Sequence, residues 1–508
     1  MQADASSLRL SGYVSFVPLD DPDNVLIVHG YSGAHDLVSP SVASYLRGLR
    51  SDDAPQTSPP SPETLARLRR RGYLTTKTVE EERDLVRRLS ESAHRRELEG
   101  QPSFVIMPTY ECNLRCTYCY QADIRADPAR KHLLEILTPE MADRLLAGMN
   151  GLEAQRGVPP DAMRSVTFYG GEPLMRAAAP VIRRLVEGCL TVRPTNFFTV
   201  TNGVDLDAYE DLIGPEKLSG FQITLDGPPD VHDRMRFRVD KSGSFAAIAA
   251  NIDLVLNRGA SISLRMNVDR ESVVHLPRLA EELERRGWIS RPGFSVHAAR
   301  ITGGPREREL SSFELSQHLT RLRVSHPACT VLDRPSDQLR RRLLGVFRGE
   351  SHPRAAYSAS YCGAHTSMYM FDQRGDIYAC WERTGDPSIR IGHVAEDGTV
   401  VLGKAHAALA GAPSSEPPKR RLPVVTAEPT DEAGWRSRHI ATSPKCVDCA
   451  HAFHCGGGCA IVAIDVHQSY YGHACDAFPA TFKQAAREAF ADYRRGVTVA
   501  RHFEPGCG

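Results

Sequence analysis

The sequence predicts an α/β fold in which a partial (β/α)6 barrel is flanked by a small N-terminal α+β module and a cysteine-rich C-terminal domain. Strand-like and helix-like runs alternate from about residue 103 to 300, which is typical of βαβ units and a parallel sheet. Before this region, short strands are followed by helices. From about residue 355 onward, cysteine, glycine and short strands dominate.

The first 100 residues predict a winged-helix-like module. GYVSFVPL and NVLIVHGYSGAHDLV predict strands around a glycine-containing turn. SPSVASYLRGL and SPETLARLRRRGYL predict amphipathic helices, each begun by a Ser-Pro pair, and TVEEERDL begins a longer solvated helix. We therefore expect a separate domain at 1–100.

The barrel is predicted over 101–310. Its strand-like runs are SFVIMP, SVTFYGG, NFFTVTNG, GFQITLDG, SISLRMNV and GFSVHAA. Ligands in such folds bind at the C-terminal ends of the strands. The first run leads directly into PTYECNLRCTYCYQAD, so this loop is expected at the mouth of the barrel.

Three further regions follow the barrel. Residues 311–354 predict a helical linker, and 355–490 predict the cysteine-rich domain. A Pro-rich, polar stretch at 398–440 reads as a loop inserted in that domain. We expect 491–508 to be a tail.

Charge and hydropathy restrict the function classes. Lys+Arg and Asp+Glu are both 62, so the charge balance indicates neither nucleic acid nor an anionic membrane as a partner. No apolar run approaches the roughly 20 residues that a membrane span needs, and MQADASSLRLSG lacks the apolar core of a signal peptide. We expect a soluble cytoplasmic protein.

The 13 cysteines are mostly clustered, and clustered cysteines in a reducing compartment usually bind metal. Cys189, Cys329 and Cys507 stand apart and are expected to be ordinary residues, since a buried free cysteine behaves as a small hydrophobe.

The first cysteine set has the spacing C-x3-C-x2-C and consists of Cys112, Cys116 and Cys119. Three thiolates can hold three irons of a [4Fe–4S] cluster and leave the fourth iron open to a substrate or cofactor. A structural zinc site is the alternative, but zinc in such sites takes four closed ligands. No fourth Cys or His lies near this loop in the sequence.

This spacing, with Tyr118 directly before the last cysteine, resembles the signature of the radical S-adenosylmethionine (SAM) enzymes. The resemblance implies that the open iron binds the amino and carboxylate groups of SAM. It also implies that electron transfer from the cluster releases a 5′-deoxyadenosyl radical, which abstracts a hydrogen atom from the substrate.

Further motifs resemble the SAM-binding segments of that family. YGGEP contains Gly170, Gly171, Glu172 and Pro173 at the end of the second strand, where glycines let the backbone approach a ligand. The resemblance implies that this motif contacts the SAM amino group. The other candidate contacts, on TNG, QITLDGPPDVHDRMR and SLRMN, are Asn202, Thr224, Asp226, Arg236, Arg265 and Asn267.

Some of these candidates have an ordinary structural alternative. Arg265 and Asn267 could instead be ordinary polar residues on a strand face in the barrel interior. Asp226 and the nearby His232 are also suited to fixing their loop through turn hydrogen bonds.

The later cysteines resemble, one for one, those of the SPASM domain that follows the barrel in a subgroup of radical SAM enzymes. Their order is Cys362, Gly375, Cys380, then Cys446, Cys449, Cys455 and Cys459 as C-x2-C-x5-C-x3-C, then Cys475. The resemblance implies two auxiliary clusters, and therefore three [4Fe–4S] clusters in all. A zinc-ribbon-like site is the alternative for the C-x2-C-x5-C-x3-C part.

The resemblance also assigns ligands. The second cysteine set, Cys446, Cys449, Cys455 and Cys475, would hold one fully ligated cluster. The third cysteine set, Cys362, Cys380 and Cys459, would hold the other, with one site open or filled by a group other than cysteine. The glycines at 456–458 suit a loop around a cluster.

SPASM enzymes mostly modify peptides, so the resemblance implies a ribosomally made precursor peptide that receives an oxidative crosslink, such as a cyclophane carbon–carbon bond, an ether or a thioether. The alternatives are formylglycine formation on a sulfatase, peptide epimerisation, and a non-enzymatic iron–sulfur electron carrier or peptide-binding scaffold. A carrier does not need the YGGEP and LDG segments.

One departure from the sulfatase maturases concerns the proposed general base. Those enzymes place an Asp directly after the cysteine of G-x4-C, whereas this chain has Trp381 there, followed by Glu382. If the reaction needs a base, Glu382 or another acid must supply it, and Glu382 is the candidate.

The N-terminal module resembles the peptide-recognition winged-helix domain of peptide-modifying enzymes. It is expected to bind the leader of the precursor peptide as an added edge strand. The alternative is a cap packed on the barrel. We further expect an electron donor such as flavodoxin or ferredoxin, and no nucleic acid or membrane partner.

Overall fold

The computed structural model of the chain describes residues 8–50, 58–302, 307–352, 357–403 and 432–497. Its strands are β1 Arg9–Leu10, β2 Val14–Pro18, β3 Val25–His29, β4 His35–Val38, β5 Leu74–Thr75, β6 Ser103–Met107, β7 Leu114–Cys116, β8 Arg164–Phe168, β9 Thr195–Thr201, β10 Leu218–Thr224, β11 Arg236–Arg238, β12 Ser261–Val268, β13 Phe294–Arg300, β14 Leu332–Asp333, β15 Met368–Asp372, β16 Asp376–Tyr378, β17 Arg390–Val394 and β18 Val400–Leu402.

The helices are α1 Pro40–Gly48, α2 Pro62–Arg70, α3 Val79–Leu98, α4 Ala122–Ala126, α5 Pro139–Gln155, α6 Ala179–Val192, α7 Pro229–Met235, α8 Phe245–Asn257, α9 Leu276–Arg285, α10 Ser312–Ser325, α11 Asp337–Phe347, α12 Glu432–Arg436, α13 Pro444–Val447, α14 Ala452–Cys455, α15 Ala460–His467 and α16 Phe478–Arg495. Among these described helices, none is long and apolar enough to cross a membrane.

The chain folds into two compact units that interleave along the sequence. Unit 1 draws its described residues from Met1–Glu97, Ser336–Tyr361 and Arg438–Ala500. Unit 2 draws them from Leu98–Pro335 and Cys362–Ser437. Most of the insertion predicted at 398–440 lies outside the described residues, as do Cys507 and the chain after residue 497.

Unit 1 contains an antiparallel sheet of β2, β3 and β4, with β3 in the middle. Successive side chains of a strand point to opposite faces, and here both faces are apolar. Val14 and Phe16 pack in one cluster with residues of α1 and α2. Val17 packs in another cluster with residues of α11 and α16.

The helices after this sheet begin where the Ser-Pro pairs predict. The Ser39 side chain accepts a hydrogen bond from the Val42 N–H at the start of α1, and Ser61 does the same for Thr64 in α2. A proline in the first turn needs no backbone donor there, so the Ser-Pro pair both caps and starts each helix.

Unit 2 is built on a large sheet whose parallel strands lie in the order β6, β8, β9, β10, β12 and β13. Helices α5, α6, α8 and α9 lie between successive strands of this series. The predicted α/β class with six parallel strands is confirmed. Strand β15 extends the sheet beside β6 in parallel, and antiparallel β16, β17 and β18 follow. Because the six strands are parallel, the loops after them meet at one edge.

Candidate functional site

The first cysteine set lies in the loop after β6. Cys116 ends β7, which pairs with β11 so that Cys116 stands opposite Arg236. The Cys119 N–H donates to the Cys116 carbonyl at 3.3 Å. A short two-stranded sheet therefore holds the cysteine loop against the segment that follows β10.

The three thiols form one group. Burial raises the pKa of Cys112 to about 12, and the neighbouring Cys116 thiol adds to that shift. Burial also raises the pKa of Cys116, and the Cys119 thiol adds to it. All three thiols lie in the loop between β6 and α4.

Hydrogen-bond donors surround these sulfurs. The Leu114 N–H donates to Cys112 Sγ at 3.4 Å, and Asn202 Nδ2 lies 3.6 Å from the same sulfur. Arg125 Nη2 lies 3.2 Å from Cys119 Sγ. Donors of this kind stabilise thiolate charge, so the donor set fits an iron–sulfur cluster.

The positions of potential metal ligands do not identify a metal site. In the ranges that the structure describes, no three His, Cys, Asp or Glu side chains converge to hold a single metal ion. The iron ligation predicted for the first cysteine set stays a prediction.

The two glycines of YGGEP lie against the backbone that enters the cysteine loop. The Gly171 N–H donates to the Thr109 carbonyl at 3.0 Å. A Cβ on Gly171 would lie 2.2 Å from the Glu111 carbonyl oxygen, and one on Gly170, whose φ is +140°, would lie 2.6 Å from that of Thr109. The close approach that these glycines allow is to the backbone of residues 109–111, and the approach to a ligand stays a prediction.

Glu172 ties two loops together. Its buried carboxylate accepts hydrogen bonds from Thr201 Oγ1 at 2.6 Å and from the backbone N–H groups of Asn202 and Leu174 at 2.6 and 2.9 Å. Burial raises its pKa to about 7. Glu172 therefore holds the loops after β8 and β9 together, and Pro173 beside it is buried. Asn202 reaches the cysteine loop from there.

Five of the predicted SAM contacts meet in one hydrogen-bonded network. The Tyr118 hydroxyl donates to the Asp226 carboxylate, and it accepts from Arg236 Nη1 at 2.8 Å and from Asn267 Nδ2 at 3.1 Å. The Asn267 N–H donates to Asp226 Oδ1 at 3.0 Å, and Arg265 Nε donates to Asn267 Oδ1 at 2.8 Å. The network links the cysteine loop to the ends of β10 and β12.

Two neighbouring residues support this network. The Asp226 N–H donates to His232 Nδ1 at 3.3 Å, and His232 Nε2 lies 3.0 Å from Ser244 Oγ. Burial lowers the pKa of His232 to about 3, so its ring is neutral. His232 fixes the loop, in line with its structural alternative. Thr224 pairs with Arg265 across β10 and β12.

An aromatic cluster beside the site was missed from the sequence. The hydroxyls of Tyr120 and Tyr169 are 2.6 Å apart, and the Tyr169 ring stacks on Trp381 with centroids 5.1 Å apart. The Tyr120 side chain is 44% exposed. Burial raises the pKa of Tyr169, and the Glu382 carboxylate adds to that shift. Each of these three aromatic residues is next in sequence to a motif residue, and this position is the only feature of the sequence that points to the cluster.

All four cysteines of the second set belong to unit 1. Burial raises the pKa of Cys455 to about 12, and the thiols of Cys446, Cys475 and Cys449 add to this shift. Beside them lies the buried Arg438, which lowers the pKa of Cys446 and donates to the Gly457 and Gly472 carbonyls at 3.3 and 3.1 Å. These four thiols next to a buried cation suit a ligated cluster.

The glycine run after Cys455 has a left-handed conformation that favours glycine, and two of its residues fit too closely for a Cβ. Gly456, Gly457 and Gly458 have φ of +69°, +87° and +76°. A Cβ on Gly458 would lie 2.0 Å from the Ala474 carbonyl oxygen. This run lets the chain pass close to the segment that leads into Cys475.

The third cysteine set has members in both units. Cys362 and Cys380 belong to unit 2, and Cys459 belongs to unit 1. Gly375, between β15 and β16, has a φ of +80° in a tight turn. The ligation of a cluster by this set stays a prediction.

Comparison with known proteins shows a family match in the central part of unit 2. The Radical SAM superfamily matches residues 106–283. The chain contains a radical SAM domain. The matched range includes the first cysteine set, YGGEP and the whole Tyr118 network, so the family resemblance of these motifs is confirmed. A radical SAM domain implies a [4Fe–4S] cluster and SAM.

Two curated relatives share part of this domain. A GTP 3′,8-cyclase of Chlorobaculum tepidum is 29% identical over 163 residues, which are 32% of this chain and 43% of the relative. A cysteine-type anaerobic sulfatase-maturating enzyme of Clostridium novyi is 26% identical over 193 residues, which are 37% of this chain and 49% of the relative. The chain thus matches less than half the length of either relative.

The likeness in fold extends beyond the radical SAM domain. A solved structure described as native anSMEcpe with bound AdoMet superposes with a TM-score of 0.53 at 15% identity. The superposition covers 78% of this chain and 100% of that chain. The two proteins share a fold.

Proposed function

We propose that the protein is a radical SAM peptide maturase that forms an oxidative crosslink in a ribosomally made precursor peptide. The observation that carries this proposal is the second cysteine set. Cys446, Cys449, Cys455 and Cys475 all belong to unit 1, while the radical SAM domain has its own three cysteines. An enzyme that only cleaves SAM needs the first cysteine set alone.

The proposed cofactors are SAM and three [4Fe–4S] clusters, one on each cysteine set. When bound, they supply a 5′-deoxyadenosyl radical and an acceptor for the second electron of the oxidation. The chain contributes the donors around Cys112 and Cys119, which stabilise thiolate charge. Flavodoxin or ferredoxin as the reductant and a cytoplasmic location are parts of the proposal.

The Tyr118 network is the proposed SAM-binding surface. Arg236 and Arg265 are cations that attract a carboxylate, and Tyr118, Asp226 and Asn267 offer both donors and acceptors. The structure titled native anSMEcpe with bound AdoMet supports SAM as the ligand of a site with this fold.

The peptide is proposed to present its target side chain near Tyr120 and Glu382. Both side chains are exposed, and Trp381 lies beside them. Each crosslink removes two hydrogens from the peptide. One leaves as a hydrogen atom to the 5′-deoxyadenosyl radical. The other leaves as a proton, which Glu382 is proposed to accept, and its electron would go to the acceptor that the auxiliary clusters would supply.

A sulfatase maturase is the second candidate, because a relative from Clostridium novyi carries that name. This candidate predicts formylglycine on a sulfatase-derived peptide and no crosslink. The presence of Trp381 directly after Cys380 weighs against it.

The deciding experiment is co-expression of this protein with each small peptide that a neighbouring gene encodes, followed by mass spectrometry of the peptide. We expect a loss of two hydrogens for each crosslink and linked fragments in tandem spectra. Cys116→Ala is expected to abolish 5′-deoxyadenosine formation, whereas Cys329→Ala, a buried cysteine outside the three sets, is the matched control that retains it.

If the peptide mass is unchanged in ordinary water but deuterium is taken up from heavy water, the reaction is epimerisation and not crosslinking. Iron and sulfide sufficient for only one cluster after anaerobic reconstitution would refute the three-cluster part. SAM cleavage by Cys116→Ala would refute the role of the first cysteine set.

A further inference from the structure

Arg438 is a buried cation in unit 1, the unit that also contains the whole second cysteine set. The residue is only 3% exposed. It precedes Cys446 in the chain and belongs to none of the motifs from which the site was predicted. Taking a charge out of water is costly unless hydrogen bonds or an opposite charge compensate for it. The groups around Arg438 must therefore compensate for its burial.

Hydrogen bonds to backbone carbonyls join Arg438 to two segments of the chain. Its Nη2 donates to the Gly457 carbonyl at 3.3 Å and to the Gly472 carbonyl at 3.1 Å, and its Nε donates to the Tyr470 carbonyl. Gly457 follows the third cysteine of the set, whereas Tyr470 and Gly472 lie on the segment that leads into Cys475. The guanidinium thus bridges two of the segments that carry these cysteines.

The same guanidinium lies close to the first cysteine of the set. A Cβ on Gly457 would lie 4.0 Å from Arg438 Nη2 and 4.0 Å from Cys446 Sγ, so these two atoms are no more than twice that distance apart. Away from water, a cation at such a separation interacts with a thiolate far more strongly than it would in solvent. Burial raises the pKa of Cys446, and the Arg438 charge opposes that shift.

Lys445 is a second cation near Cys446, and it differs from Arg438 in its exposure. It comes directly before Cys446 in the chain, and the residue is exposed. Water and salt screen an exposed charge, so its effect on a buried sulfur is small. The carbonyl partners of Arg438 satisfy its N–H groups without neutralising its charge. Of these two cations, Arg438 should therefore have the larger effect on the sulfurs.

We propose that Arg438 is a positioning residue of the second cysteine set: it ties together segments that carry these cysteines, and its buried charge favours the reduced state of the cluster that they hold. The inference rests on the proposed function, which assigns a [4Fe–4S] cluster to this set. Reduction adds an electron to a group that four thiolates already make anionic, so a buried cation nearby stabilises the reduced state and raises the midpoint potential. Arg438 thereby sets how readily this site accepts an electron.

The test measures the midpoint potential of this one cluster in the full-length chain. Alanine replaces every cysteine of the first and third cysteine sets, so that only the second set can bind a cluster, and this protein is the reference chain. After anaerobic reconstitution, the reference chain is titrated with dithionite in the presence of redox mediators. Electron paramagnetic resonance follows the fraction of reduced cluster, and neither SAM nor a peptide is needed.

Three substitutions in the reference chain separate the charge from the hydrogen bonds. Arg438→Gln removes the charge and keeps an N–H donor. We expect it to lower the ratio of reduced to oxidised cluster at a given potential about tenfold, which is a shift of about 59 mV for a one-electron couple. Arg438→Lys keeps the charge and should change this ratio less than about threefold. Lys445→Gln removes the same charge from an exposed side chain and should change the ratio less than about twofold.

Loss of the cluster from Arg438→Gln but not from Arg438→Lys would also support the inference, because the charge would then be required for the cluster to bind. Four outcomes would overturn it: an unchanged potential in Arg438→Gln, equal shifts in the two Arg438 variants, an equal shift in Lys445→Gln, or loss of the cluster from both Arg438 variants. A reference chain without iron would refute the cluster and the inference with it. The expected shifts, together with no modification of any peptide, would refute only the crosslinking reaction.

Discussion

Gly171 shows how a single atom controls the approach of two loops. An added Cβ would meet the Glu111 carbonyl oxygen at 2.2 Å, and backbone cannot move aside as a flexible side chain can. We predict that Gly171→Ala lowers the free energy of unfolding by about 1–3 kcal/mol, the usual cost of overpacking, and slows SAM cleavage. Anaerobic urea denaturation and 5′-deoxyadenosine assays measure the two effects.

The matched control is Gly151→Ala in α5, where an added Cβ would meet no atom within 4 Å. Alanine is the better helix former, so this variant should gain up to about 1 kcal/mol. A similar loss of stability in both variants would contradict the steric explanation.

The raised pKa of Asp372 should make the free energy of unfolding depend on pH. Its buried carboxylate accepts hydrogen bonds from the N–H groups of Arg374 and Asp376 at 2.9 and 3.0 Å. Burial, with the Asp376 carboxylate adding, raises its pKa to about 7. A carboxyl group with a raised pKa stabilises the fold below its unfolded value and loses that contribution as the pH rises to its folded value.

We therefore predict that Asp372→Asn gains stability relative to the unsubstituted chain when the pH rises from about 5 to about 8. Each pKa unit corresponds to about 1.4 kcal/mol, so the gain is a few kcal/mol at most. Urea denaturation at the two pH values measures it. Asp143→Asn is the control, because Arg184 holds the pKa of that carboxyl below its usual value and it does not titrate in this range. A relative loss for Asp372→Asn on raising the pH would refute the prediction.

Motifs in the sequence predicted the site residues one at a time, and their partners came only from the structure. Tyr118, Asp226, Arg236 and Asn267 were each candidates for SAM contact, but they lie on four separate segments. Only the pairing of β7 with β11 and of β10 with β12 brings them together. Trp381 was noticed as a departure from a pattern, while its stacking on Tyr169 depends on tertiary structure.

At the scale of elements, the glycine run at 456–458 gives a prediction about one cluster. A Cβ on Gly458 would lie 2.0 Å from the Ala474 carbonyl oxygen, directly before Cys475. We predict that Gly458→Ala displaces Cys475 and loses one cluster, about four iron atoms per chain. It should still form 5′-deoxyadenosine. Iron and sulfide assays after anaerobic reconstitution measure the loss.

Gly496→Ala separates steric contact from backbone strain. Gly496 also has a positive φ, +67°, but an added Cβ would meet no atom within 4 Å. This control should keep its full iron content and lose only about 1 kcal/mol of stability. Iron loss in both variants would mean that the left-handed conformation alone explains the effect.

The six parallel strands and the two helices capped by Ser-Pro were predictable because their signals are local: alternation, length and capping. Which elements pack on the sheet of β2, β3 and β4 was not predictable. Residues of α11 and α16 pack on Val17, but they lie more than 300 residues away in the sequence. Their apolar faces show that each is buried against something without showing against what.

At the scale of the whole molecule, the two units interleave along the chain, and this limits how well domain boundaries can be predicted from the sequence. Predicted boundaries follow the chain in order, whereas Ser336–Tyr361 and Arg438–Ala500 group with the N-terminal residues. Apolar periodicity locates elements, but which elements share a core depends on contacts between distant segments.

Removal of the proposed clusters should therefore affect the two units differently. Around the second cysteine set, α13 and α14 have only four residues each. Helices this short are not stable alone, so we expect ligation to supply much of the stability of this region, as it does in other small metal-binding folds. In unit 2, six parallel strands support one another through continuous backbone hydrogen bonding.

We predict that stripping iron with a chelator under oxidising conditions makes limited proteolysis at least tenfold faster within 438–475, while the strands from β6 to β13 stay protected. Mapping the cleavage sites by mass spectrometry measures this. Cys475→Ser should show the same local cleavage without chelation, because it removes one of the four ligands proposed for a single cluster, whereas Cys329→Ala should not. Equal acceleration of cleavage in both units would mean that the clusters stabilise the chain as a whole, and unchanged cleavage at 438–475 would mean that this region folds without iron.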